Sequence, residues 1–286
     1  MSVNNKYKDS LFSWLFSDPD TLRELYSAIK GILLDPSVPI TINTLEDVLY
    51  MDRINDISFE IAGRLVVLIE HQSTINPNMA LRMLMYIGRI YEKIIGSRNI
   101  YGRKKLRIPQ PEFIVLYNGV DPYPDQSTLK ISDSWNQSAS DPRTENIAPA
   151  LDLTVTVYNI NEGKNNAIVQ GCKRLSWYSI FVAKAREYEK TAPDKETAMK
   201  QAINYCIKHD ILKEFLEVNA SEVTNMLLTE WNWDDALKVE REEGREEGRE
   251  EGEAIGEIKV LELMKQGYTA EQIEACLSLK TETSGK

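Results

Sequence analysis

Leu11, Phe12, Leu15 and Phe16, then Leu22, Leu25, Tyr26 and Ile29, recur at spacings of three and four, the period of a helix that buries one face. Asp18-Pro19-Asp20 interrupts that stripe, which predicts two helices, with Gly31 as a C-terminal cap for the second. The period then shortens. "EDVLYM", "DISFEI" and "RLVVLIEHQ" read as three strands, and in the middle one Ile57, Phe59 and Ile61 alternate with Asp56, Ser58 and Glu60. A helix is predicted from Asn76-Pro77, a cap and first-turn pair, to Gly96. "EFIVLYNG" (112–119) and "LDLTVTVYNIN" (151–161) read as further strands, the first ending at a turn. Residues 170–230 are mostly helical in pattern, with Leu175, Tyr178 and Val182, then Ile203, Ile207, Ile211 and Phe215, on apolar stripes. This order predicts an α/β core with a small mixed β-sheet flanked by helices, plus a helical C-terminal region.

The segment "REEGREEGREEG" (241–252) has no apolar stripe to bury. A four-residue unit overshoots the helical turn, and each glycine costs about 1 kcal/mol relative to alanine, so it reads as a solvated, marginal helix or a linker, with a charged partner surface as the alternative. "AIGEIKVLELMKQGYTAEQIEACLSL" reads as a helical hairpin bending at Gly267, with Thr269 as N-cap. The expected organisation is a core over 1–165, a helical region packed on it over 166–236, a charged linker helix over 237–253 and a hairpin tail over 254–286.

Composition narrows the class. Hydrophobic residues make up 42% and charged residues 27% of the 286, the balance of a soluble protein, and charges interrupt every apolar run before membrane-spanning length. The N-terminus lacks the continuous apolar region and cleavage site of a secretion signal. Cys172, Cys206 and Cys276 are odd in number and far apart, which argues for reduced thiols in a cytoplasm and against a zinc ribbon or a disulfide framework. The net charge is −10, half of it between Glu240 and Glu253, where eight Glu meet three Arg. Any polyanion site must therefore be a local patch.

Leu65 to Ile69 form a core-like run that ends on Glu70-His71-Gln72, although a buried carboxylate is costly without a partner. If Ala62-Gly63-Arg64 is a three-residue loop, Ile61 faces Leu65. Asp56 then lies opposite Glu70 on one face, Cα atoms about 4.5–5.5 Å apart, with Gln72 on the same side. A two-residue loop would break this parity. Two facing carboxylates repel unless protonated or bridged by a cation. A hard divalent ion resolves the repulsion: Mg²⁺ most simply, Mn²⁺ or Ca²⁺ as alternatives.

Asp56 followed by Glu70-His71-Gln72 resembles the core of the PD-(D/E)XK nucleases. More closely, "NDISFEIAGRLVVLIEHQSTINPNMALRMLMYIGRIYEK", with "FIVLYNG", "VYNIN", "ILKEFL" and "EEGREEG", resembles the Rpn recombination-promoting nuclease/putative transposase family. The resemblance implies a PD-(D/E)XK nuclease-like core, with Asp56 and Glu70 as metal ligands and the His71 carbonyl available as a third. Gln72 stands where many members of the wider superfamily have lysine; it can orient water but cannot be a general base. Asp9 matches an acidic position near the metal in such folds, though an exposed helix aspartate is the plainer reading. The transposase part of the family name has no separate support, since no integrase-type acidic triad is identifiable.

Arg82, Tyr86, Arg89 and Lys93 form one polar helix stripe, either a solvated face or, at Arg82 and Tyr86, a site for the scissile phosphate. "SRNIYGRKKLR" supplies Arg98, Arg103, Lys104, Lys105 and Arg107 with Tyr101 between, either a solvated loop or a DNA-backbone contact. His71 is expected to point away from the carboxylates and to pack. The sequence thus points to a Mg²⁺-dependent DNA endonuclease with DNA as partner, no membrane contact and homodimerisation through the C-terminal helices. The alternative is a weak or inactive nuclease-fold protein serving as an interaction module through its helical C-terminal half.

Overall fold

The computed structural model describes residues 10–43, 56–98, 100–135, 150–265 and 269. It opens with helices α1 (Leu11–Leu15) and α2 (Pro19–Lys30). Asp18 caps α2 by accepting from the Asp20 and Thr21 amides, Pro19 takes the first turn, and Gly31 closes it in the left-handed region. The break at Asp18-Pro19 and the cap at Gly31 are as the sequence predicts.

Six strands form one mixed sheet: β1 (Ile40–Ile42), β2 (Asp56–Ile61), β3 (Leu65–Gln72), β4 (Gln110–Tyr117), β5 (Gln126–Lys130) and β6 (Thr154–Asn159), in the order β1-β2-β3-β4-β6-β5. β3, β4 and β6 run parallel at the centre; β1, β2 and β5 are antiparallel to their neighbours. A 3₁₀ turn (Ile131–Ser134) follows β5. The sequence pattern does not foresee β1 or β5. Both lie at sheet edges, and the exposure of β5 alternates without a buried face, so the backbone ladder rather than an apolar stripe defines it. The expected strand "EDVLYM" lies outside the described residues.

Alternate residues of β3 and β4 feed two cores. Val66, Leu68, Phe113, Val115 and Tyr117 pack with α3 (Met79–Ile95) through Met79, Met83, Tyr86, Ile87 and Ile90. α3 begins at Met79 rather than at the expected Asn76-Pro77, with the Asn76 side chain accepting from the Asn78 amide just ahead of it. On the opposite face His71 packs on Phe12 of α1 and on Tyr178, while Tyr26 of α2 meets Phe59. α4 (Asn166–Gly171), α5 (Lys173–Glu189) and α6 (Lys195–Lys208) follow, then α7 (Lys213–Lys265).

The chain divides into two units, Met1–Glu230 and Trp231–Lys286. The first holds the sheet and the helices packed on it. In the second, "REEGREEGREEG" is helical, with an Arg249–Glu246 pair one turn apart, and the expected hairpin beyond Lys265 lies outside the described residues except for Thr269.

Candidate nuclease site

The β2–β3 hairpin sets the register on which the site depends. The Arg64 amide donates to the Ile61 carbonyl at 3.0 Å, and Ala62 and Gly63 both have positive φ (52° and 62°), the twist that suits a tight hairpin. Ile61 pairs with Leu65 and Asp56 with Glu70, the three-residue-loop register predicted from sequence. Backbone polarity adds a detail. The Gln72 carbonyl accepts from the Asn118 amide, and the Arg64 carbonyl from Gln110, so even-numbered β3 residues bond toward β4. The Ser58 carbonyl faces β1, accepting from Asn43. Asp56 and Glu70 are therefore a non-hydrogen-bonded pair, the closer kind, with Cα atoms about 4.5 Å apart. By the same alternation the His71 carbonyl turns toward β2, beside Asp56.

Glu70 reaches the α3 side of the sheet, where its side chain is only 3% exposed. Arg82 on the first turn of α3 answers the buried charge: Nη2 lies 2.7 Å from Glu70 Oε1. Tyr86, one turn further along, accepts from Arg82 Nε and Nη2 at 3.1 and 2.8 Å and so holds the guanidinium over the carboxylate. Gln72 Nε2 donates to the same Glu70 oxygen at 3.2 Å and lies against the Met79 sulfur. Glu70, Gln72, Arg82 and Tyr86 thus form one cluster. Arg82 and Tyr86 are not a solvated face: Tyr86 is 3% exposed, and Arg82 turns inward to Glu70.

The reverse face fixes the end of β3. His71 stacks on Phe12 with ring centroids 4.8 Å apart, and its Nε2 lies 3.0 Å from Tyr178 Oη. Burial, with the positive charge of Arg186 as a lesser cause, drops its pKa to about 3, so it is neutral and structural, as expected. Eight residues beyond Tyr178 on α5, Arg186 donates to the side chains of Asn118 and Asn161 at 3.0 Å and to the Asn118 carbonyl. Asn161 in turn donates to the Gly119 carbonyl at 3.0 Å. Asn118 holds Gln72, so α5 braces the strand that carries Glu70. Sequence reading missed this role; its signal is the pair of strand-end motifs "YNG" and "YNIN".

The remaining candidates fall elsewhere. Asp9 lies outside the described residues. Arg103, Lys104 and Lys105 are exposed on the loop that enters β4 at Gln110. Gln110 pairs with Leu65, five positions before Glu70 on β3, so the loop sits at the opposite end of the sheet, about 17 Å along the strand. It is not beside the carboxylates. Among the described residues no group of three or more His, Cys, Asp or Glu side chains could hold a metal. None of their helices is long and apolar enough to cross a membrane.

A mixed sheet flanked by helices, with an acidic pair at the end of its central hairpin, defines a nuclease-like α/β fold. Residues 43–170, the segment that carries β2 to β6 and α3, match the family described as "Putative transposase, YhgA-like", itself grouped with the Rpn/PD-(D/E)XK-like proteins. No curated protein and no solved structure matches the chain. α5, with Tyr178 and Arg186, lies beyond the matched segment.

Proposed function

We propose that the protein is a divalent-metal-dependent DNA endonuclease that hydrolyses phosphodiester bonds, in keeping with the transposition named in its family's description. One observation carries the reading. A carboxylate from the centre of the sheet is buried at a strand end, in close register with a second acidic residue, and draws a cation to 2.7 Å. A carboxylate buried there needs a positive partner, a need that a hard cation would also meet. The donors would all be oxygens, the carboxylates of Glu70 and Asp56 and the His71 carbonyl, the ligand type that Mg²⁺ and Mn²⁺ take. When bound, the ion would lower the pKa of attacking water and neutralise charge on the phosphate.

The chain's own residues orient and neutralise. Gln72 fixes Glu70 through its amide and, having no titratable group, does not act as a base. Arg82 and Tyr86 supply guanidinium and hydroxyl donors for the scissile phosphate. The basic loop, at the far end of the sheet, would contact the DNA backbone well away from the cut rather than at it. Supercoiled plasmid incubated with the protein should be nicked in Mg²⁺ and left intact in EDTA, and Glu70→Gln should abolish nicking. Intact plasmid under every divalent ion tried would sink the reading.

A second reading draws on the same ion pair. Because Arg82 already balances Glu70, the cluster is stable without metal and could be purely structural, leaving an interaction module whose working part is helical. Sedimentation of the full chain against one ending at Glu230 distinguishes this: loss of self-association without any Mg²⁺-dependent nicking in either form would favour it.

A further inference from the structure

We propose that Arg82 is an internal counter-ion for the metal seat: it neutralises Glu70 when no divalent ion is present and moves to a substrate phosphate when one binds. This rests on the metal-dependent nuclease reading above and adds how metal and DNA are coupled. Three features of the cluster support it. First, the guanidinium bonds Glu70 Oε1 at 2.7 Å, so arginine and ion would compete for the negative charge of one carboxylate. Second, the members of the pair differ in freedom. The Arg82 side chain is 26% exposed and Glu70 only 3%, and Arg82 sits on a long flexible stem at the start of α3 while Glu70 is fixed in the central hairpin. Displacement therefore moves the arginine outward, with no backbone change required. Third, two of the groups that hold Arg82 are neutral acceptors, Tyr86 Oη at 2.8 and 3.1 Å and Met79 Sδ at 3.4 Å from Nη1, each a weaker partner for a guanidinium than a phosphate.

The electrostatics then run one way. Arg82 offsets the charge of Glu70, which weakens the attraction of that carboxylate for a dication. A dication held at Glu70 would repel the guanidinium, whose long side chain is already part exposed and would swing toward solvent. There it meets phosphate, to which arginine bonds in a two-pronged geometry. By linkage, DNA that captures Arg82 must tighten metal binding by the same factor by which metal tightens DNA. The device would keep the ion weakly held until a substrate is present.

Calorimetric titration of Mn²⁺ into the full-length protein without DNA provides the test, with Glu70→Gln as the zero-binding reference. Arg82→Met should bind Mn²⁺ about tenfold or more tightly than wild type, since a neighbouring opposite charge is worth one or more pK units to a carboxylate. Its melting temperature should also rise further on adding Mn²⁺. Tyr86→Phe, which loosens the clamp without changing charge, should shift affinity the same way by a smaller factor and decides the matter if Arg82→Met does not fold. A fluorescein-labelled DNA duplex should bind wild type more tightly with Ca²⁺ than without, and Arg82→Met should lose that gain. Equal or weaker Mn²⁺ binding by both variants, with binding still dependent on Glu70, would overturn this inference alone, as would a Ca²⁺ gain retained in Arg82→Met. Absence of Mn²⁺ binding in every form would remove the metal reading and the inference together.

Discussion

Tyr178 of α5 holds His71 of β3, Oη to Nε2 at 3.0 Å, one residue from the carboxylate on the other face of the same strand. The imidazole is buried and neutral, with its pKa down from 6.5 to about 3. Between those values the unfolded chain takes up a proton that the folded chain refuses, so acidification through this window removes stability and higher pH restores it. Wild type should lose up to about 1.4 kcal/mol per pH unit on this account, and His71→Gln should lose correspondingly less. Urea unfolding of both at pH 7, 6, 5 and 4 measures the difference; parallel curves would show that His71 is protonated in the fold.

Gly119 closes the "YNG" turn where the chain passes under the end of β3. A Cβ there would lie 2.1 Å from the Ser73 carbonyl oxygen and 2.4 Å from Tyr117 Oη, and neither can yield cheaply: one is backbone, the other a buried ring donating to the Asp121 carbonyl. Gly119→Ala should cost about 1–3 kcal/mol in urea unfolding, as overpacking does, and push Ser73 away. Since Ser73 follows Gln72 directly, weaker Mn²⁺ binding should accompany the loss of stability. A variant as stable as wild type would mean that the turn adapts.

The hairpin was legible because side-chain parity is strict: once Ile57, Phe59 and Ile61 face the core and three residues turn the chain, Asp56 must meet Glu70. The packing of His71 was legible from the same alternation. Arg82 stood out on a helical stripe, but its partner did not, because only tertiary packing lays the first turn of α3 over the end of β3. The Arg186 network was invisible for a related reason. Its hydrogen bonds join residues 68 and 25 positions apart, each an ordinary polar residue on its own. The basic loop misled by composition: five cations in a short run say nothing about which end of a sheet they occupy.

That placement makes a separate prediction. Replacing Arg103, Lys104 and Lys105 with alanine should weaken duplex binding and flatten its salt dependence by nearly one logarithmic slope unit for each phosphate the loop no longer neutralises. Mn²⁺ affinity should not change, because the loop joins the sheet at the end away from Glu70. Fluorescence anisotropy across a salt series reads the first effect and calorimetry the second. Unchanged slope and affinity would reduce the loop to a solvated surface.

Glu70→Gln brings the site and the fold into one experiment. From sequence alone, two facing carboxylates suggest that the substitution should leave folding intact or improve it by relieving repulsion. The structure reverses that expectation. Arg82 already compensates the charge at 2.7 Å, and Gln72 bonds the same oxygen, so the substitution removes an ion pair and leaves a guanidinium over a neutral amide. Loss of one partner of a fully buried pair costs more, but Arg82 retains partial access to water, so about 1–3 kcal/mol is expected in metal-free urea unfolding. Asp56→Asn shifts the cross-strand partner instead and should leave the Arg82 pair in place, with little loss or a gain. Both variants should lose Mn²⁺ binding. Equal stability of Glu70→Gln and wild type in EDTA would mean that the Arg82 pair contributes no net stability. Mn²⁺ binding retained by both variants would dissolve the metal seat itself.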